Sequence, residues 1–161
     1  MLNIGDMIVY PSQGAGVIES VEERFILGER KKYYIMRISL GNVTVMIPMD
    51  TCDTVGIRDV ISADEAKKVL DAFHKAPVEE NLNWNKRQRD HVQKIKSGDI
   101  YQTSAVLKCL MYRDKTKGLS TSERKMLYNL RQIVLSELVL SKVAPQEDIE
   151  AILEDVVLAL I

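Results

Sequence analysis

At Ser62-Ala63-Asp64-Glu65 the chain changes its period. Ahead of it, apolar residues gather in short β-branched and aromatic runs. Behind it, Val69, Leu70 and Phe73 return at the spacing of one helix face. Ser62 with Glu65 three residues on fits a capping box, which satisfies two free N–H donors at a helix start. A β module before this point and a helical domain after it follow, so the fold class is α+β. The expected boundary lies near residue 58, giving residues 1–58 and 59–161.

Upstream, Met7-Ile8-Val9-Tyr10 reads as a strand stopped by Pro11-Ser12-Gln13-Gly14. Val17 to Leu27 forms the next, Gly28-Glu29-Arg30 turns the chain, and Tyr33 to Ile38 returns. Gly41-Asn42 turns it again into Val43 to Pro48. Dense aromatic and β-branched residues with regular turns predict a small antiparallel barrel or curled sheet. So short a sheet has a marginal core and gains from docking against something. Gly14-Ala15-Gly16 lacks the phosphate-loop pattern and opens onto a strand, so it is read as a tight turn needing positive φ.

Downstream, Ala76 to Asn81 reads as a linker, and Asn83 as the cap of a second helix ending at Ser97-Gly98. Asp99 caps a third, closed by Gly118. Ser120-Thr121-Ser122-Glu123 is a second capping box and opens a fourth, and Pro145 suits the first turn of a fifth. Short connections predict a compact bundle of about five helices.

An apolar content of 46% against 28% charged residues is enough to build a core. No apolar run reaches the roughly 20 residues of a membrane span. The opening MLNIGDMIVYP has no basic leader, so a cytoplasmic location is expected. Cys52 and Cys109 form no C-x-x-C pair, and both are expected to be reduced. No metal and no cofactor are expected. His74 and His91 stand alone and no nucleophile or zincin motif occurs, so the chain is not read as an enzyme.

A net charge of −1 conceals a division along the chain. Residues 1–80 carry −4, residues 81–131 carry +8 and residues 132–161 carry −5. A basic middle between acidic flanks points to an anionic partner on one face, with a solvated helical surface as the bland alternative. The only Trp lies in that middle, in Asn83-Trp84-Asn85-Lys86-Arg87-Gln88-Arg89. Cations answer phosphates, and an indole can wedge into a base step.

At 100° per residue Trp84 falls within about 20° of Ile95, so burial in the core competes with that reading. Its place in the first turn and its cationic neighbours favour exposure. Further basic residues stand at Lys94, Lys96, Lys108, Arg113, Lys115, Lys117, Arg124, Lys125 and Arg131. Arg124 and Lys125 are notable because a helix N-terminus disfavours cations, and a phosphate would explain them. A helix-turn-helix across Ser97-Gly98-Asp99 would offer Ile100-Tyr101-Gln102-Thr103-Ser104 to a major groove, with hardly any phosphate anchor.

Gly5-Asp6-Met7-Ile8-Val9-Tyr10-Pro11 through Gly14-Ala15-Gly16-Val17-Ile18 resembles the opening of the CarD family of bacterial RNA-polymerase-binding regulators, in its CarD/CdnL branch. The resemblance runs on through Ile47-Pro48, Val55 to Val60, Asn83 to Arg87, Lys96 to Asp99, and Gly118 to Leu127. It implies a Tudor-like N-terminal module that binds the polymerase β subunit. It also implies a helical domain at promoter DNA, by the upstream edge of the transcription bubble.

The family's minor-groove wedge matches Trp84, and Lys86, Arg87, Arg89, Arg124 and Lys125 match residues expected at phosphates. For polymerase, Arg24 matches a basic residue the family uses, while its second basic position is Met46 here. A monomer is expected, with a strand-swapped dimer as an alternative. Two rivals remain: an adaptor that binds only proteins, and a stand-alone nucleoid protein.

Overall fold

A computed structural model describes residues 2–78 and 83–161. Part of the expected linker, residues 79–81, lies outside them. The N-terminal part is one antiparallel sheet of β1 (Met7–Tyr10), β2 (Gly14–Ile26), β3 (Glu29–Ile38), β4 (Thr44–Pro48) and β5 (Arg58–Asp59), in the order β4-β3-β2-β1-β5. The five helices are α1 (Ala63–Lys75), α2 (Trp84–Lys96), α3 (Ile100–Thr116), α4 (Thr121–Leu140) and α5 (Gln146–Leu158). The chain is α+β, a Tudor-like sheet module followed by a helical bundle.

The sheet curls because β2 is long and shifts register between Ile18 and Ser20, a bulge that sharpens its twist. Ile8, Ile18, Tyr34, Met36, Ile38 and Ile47 fill its concave side. The β2–β3 turn is tighter than the sequence suggests. Leu27 and Gly28 both take positive φ, and Glu29-Arg30 already belong to β3, paired with Ile26 and Phe25. This mirror-image turn matches the twist of the strands it joins.

The sheet docks on α4, as its small core requires. Ala15 N donates to Ser136 Oγ at 2.9 Å, and Ser39 Oγ donates to the Ser136 carbonyl at 3.0 Å. Gly14 does take positive φ, and a Cβ there would meet Ser136 Oγ at 2.8 Å. Gly16 is a different case: it lies inside β2, where a Cβ would stand 2.1 Å from the Arg37 carbonyl oxygen. The glycines admit a helix and a neighbouring strand rather than a phosphate.

Of the helix starts, Ser62, Asn83, Asp99 and Ser120 each cap with a side-chain oxygen. Pro145 opens α5 with no side-chain cap bond. The box at Ser62 closes on one side: its hydroxyl accepts from Glu65 N, while the Glu65 carboxylate accepts from the Tyr101 hydroxyl of α3. That bond pushes the Tyr101 pKa up to about 12.

Helix α3 is the axle of the bundle, packed by α1, α2, α4 and α5. Ile100, Thr103, Ser104, Leu107 and Met111 are buried, so this helix is not free to enter a major groove. Lys108 is buried with them. Its Nζ donates to the His74 and Ala76 carbonyls at 2.9 and 2.7 Å, closing the end of α1 over the Phe73 ring. Burial draws its pKa down. Among the described residues, no helix is long and apolar enough to cross a membrane.

Candidate nucleic-acid interface

Asn83 Oδ1 accepts from Lys86 N at 2.9 Å and fixes the first turn of α2. Trp84 is the first helical residue and is 47% exposed, while Ile95 packs against the helical core. The two share a helix face, but Cα–Cβ bonds lean toward the N-terminus, so a first-turn ring overhangs the end. That overhang decides against the core reading.

Two cations of the segment point outward: Lys86 and Arg89 are exposed. Arg87 does not join them, which corrects the expectation that it holds a phosphate. It is 7% exposed, and its Nε donates to Glu123 Oε2 at 3.0 Å with Nη2 3.4 Å from Oε1. Its inward turn follows from the stripe Arg87, His91, Ile95 at four-residue spacing, which is the face α2 lays on the bundle.

Glu123 is the third residue of α4, and its carboxylate serves two elements. It closes the capping box, accepting from Ser120 N at 3.4 Å, while Ser120 Oγ accepts from Glu123 N at 3.2 Å. It also receives the guanidinium of α2. Burial alone would push its carboxyl up, but the bonds from Arg87 and Ser120 outweigh this and hold it below the usual carboxylate range.

The pair brings the first turns of α2 and α4 together. Arg124 and Lys125, the next two residues of α4, are exposed. Lys86, Arg89, Arg124 and Lys125 therefore flank a clamp that joins the two helix starts, with the indole at the end of one of them. Such a surface can hold phosphates and offer a flat ring to a distorted step.

Three of the other basic residues are answered within the fold. Lys94 pairs with Asp90 at 3.1 Å, Lys115 pairs with Glu154, and Lys108 is interior. Sequence reasoning missed the partners of these cations. Lys108 carried a usable signal, because Ser104 and Met111, four before and three after it, lie on the buried face.

His91, one turn after Arg87, is 5% exposed, and its Nδ1 has no hydrogen-bond partner among the described residues. Burial holds its pKa below the ordinary range; Asp90 opposes this, while Lys94 and Arg87 add to it. The unfolded chain then takes a proton near pH ~6.5 that the folded chain resists. Stability should be whole above that pH and fall as pH drops through it toward the folded value. Thermal melts from pH ~7.5 to ~5.5 should show this decline, and His91→Gln should flatten it. Equal slopes in the two proteins would show that another group titrates.

At the far end of the sheet, Arg24 lies exposed on β2 and pairs with Glu22 at 2.8 Å. Met46 is 40% exposed on the edge strand β4. By register Arg24 faces Lys31, and Met46 faces Ile35 four residues along β3, so the two share a sheet face without touching.

Comparison with known proteins covers both halves. Residues 2–61 match the CarD-like/TRCF RID domain, and residues 68–154 match the CarD C-terminal domain. The chain is 38% identical over 151 residues to "Putative transcription factor YdeB" of Bacillus subtilis (strain 168), covering 94% of this chain and 99% of that one. With both domains matched in order, the chain belongs to the CarD family.

Proposed function

We propose that this protein is a cytoplasmic transcription regulator of RNA polymerase. Its β module binds the polymerase β subunit through the face carrying Arg24 and Met46. Its helical domain meets promoter DNA at the upstream bubble edge. Trp84 wedges into the minor groove there, Lys86, Arg89, Arg124 and Lys125 hold phosphates, and the open complex is stabilised. Family membership and the name of the relative support the regulatory role. The observation that carries the mechanism is the half-exposed indole standing clear of the core beside exposed cations.

Two weak contacts suffice for this task. Once the β module is bound, the helical domain works at high effective concentration, so modest DNA affinity is enough. A ring that binds the melted junction better than closed duplex shifts opening by that difference alone.

The test is promoter binding titrated with salt, with and without polymerase. Four phosphate contacts give a log–log slope of about −3.6 for the protein's contribution in the ternary complex. Arg24→Glu should lower polymerase affinity about tenfold or more, with melting unchanged, because the side chain is exposed. An adaptor would show no DNA-dependent slope, and a stand-alone nucleoid protein would bind and compact DNA equally well without polymerase. Unchanged polymerase affinity on Arg24→Glu would remove that residue from the contact.

A further inference from the structure

Helix α4 carries two buried glutamates, Glu123 and Glu137, each 2% exposed and each gripped by an arginine from another element. Fourteen residues separate them, which puts them about 21 Å apart and within about 40° of one helix face. Glu123 holds Arg87 of α2. Glu137 holds Arg58 of β5 through two bonds, Nη1 to Oε2 at 2.6 Å and Nη2 to Oε1 at 2.7 Å, and also accepts from Ile61 N at 3.1 Å.

Arg58 does more than meet Glu137. Its Nε donates to the Gly98 carbonyl at 3.0 Å, just past the end of α2. Gly98 takes positive φ, and a Cβ there would press on Pro11 of the sheet module at 3.4 Å. Helices α2 and α4 are thus tied at both ends, by Arg87–Glu123 at their starts and by Arg58 across Gly98 and Glu137 near their finishes. The second tie is made by a residue of the sheet itself.

We infer that Arg58 and Glu137 are positioning residues that convert polymerase binding by the sheet into a fixed placement of Trp84 on DNA. The inference rests on the wedge reading and adds what transmits position to the wedge. A guanidinium whose fork is filled by a carboxylate and whose Nε–H meets a backbone carbonyl has a defined direction, unlike an apolar contact that can slide. With the tie intact, the tethered domain searches a narrow set of orientations, and its effective concentration at the junction is correspondingly high.

The test uses full-length protein and the Arg58→Met, Glu137→Gln double variant. It removes both charges, preserves bulk, and leaves an acceptor for Ile61 N–H. Spin labels at Thr44→Cys and Ala151→Cys, both exposed, in a background with Cys52 and Cys109 replaced by Ser, report the distance between the modules. The double variant should keep its affinity for polymerase, broaden the distance distribution, and shorten open-complex lifetime by about fivefold at saturating protein. Unbroadened distances, or broadened distances with an unchanged lifetime, overturn the inference. Should circular dichroism show the double variant unfolded, Glu137→Gln alone carries the same expectations. Trp84→Ala, run in parallel, separates the two ideas. If it shortens the lifetime and the Arg58/Glu137 variant does not, only the positioning role falls. If neither does, the wedge reading falls and takes the inference with it.

Discussion

Replacing Trp84 by Ala should shorten the life of the promoter open complex by about fivefold to a hundredfold at saturating protein, the range that follows from ~1–3 kcal/mol of base–aromatic stacking. Polymerase affinity should stay as it was. The ring stands at the start of α2, on the helical half of the molecule, whereas Arg24 and Met46 belong to the sheet. Folding stability should fall only modestly, since a ring 47% exposed gives up limited packing when truncated. The decisive comparison is lifetime against affinity. A ring that merely added binding energy to open and closed promoter alike would raise occupancy and leave lifetime untouched. An unchanged lifetime therefore ends the wedge mechanism.

Arg87→Ala is expected to be the most destabilising change at this surface. It leaves Glu123 buried without its guanidinium, and breaking a buried pair from one side costs about 3–5 kcal/mol. For a chain of this length that corresponds to roughly 6–20 °C in melting temperature. The sign with pH can be stated. Glu123 has a folded pKa below its unfolded value. Its contribution is present above pH ~4.5 and is lost as pH falls through the folded value. Arg87→Ala should therefore differ most from wild type at neutral pH and converge with it in acid. The Arg87→Met, Glu123→Gln double variant, with no stranded charge, should recover most of the loss. Denaturant unfolding of the three proteins measures this. An Arg87→Ala protein within ~1 kcal/mol of wild type would mean that the guanidinium reaches water after all.

What the sequence disclosed was what local chemistry controls. Ser62, Asn83, Asp99 and Ser120 could be placed as caps because a cap depends on the next two or three residues only. The switch from strand to helix was legible for the same reason. Arg87 was not. In one-letter form it looks like Lys86 and Arg89, and α2 has so few apolar residues that its buried face leaves no hydrophobic stripe to read. What answers Arg87 inside is Glu123, thirty-six positions later, already noted for its part in a cap. Arg58 and Glu137 escaped notice likewise, since their partners lie on other elements. Charges matched over long sequence distances leave no periodic trace, so Arg87 could be told from its exposed neighbours only in three dimensions.

The chain has six tyrosines but a single indole, and the proposed wedge sets that indole against nucleic acid. On that proposal the molecule carries its own fluorophore at the contact. Stacking on a base quenches indole emission and leaving water shifts it to the blue. Seating of the ring in promoter DNA can thus be followed in unlabelled protein, in real time, beside an enzyme whose own tryptophans are silenced by subtraction or analogue replacement.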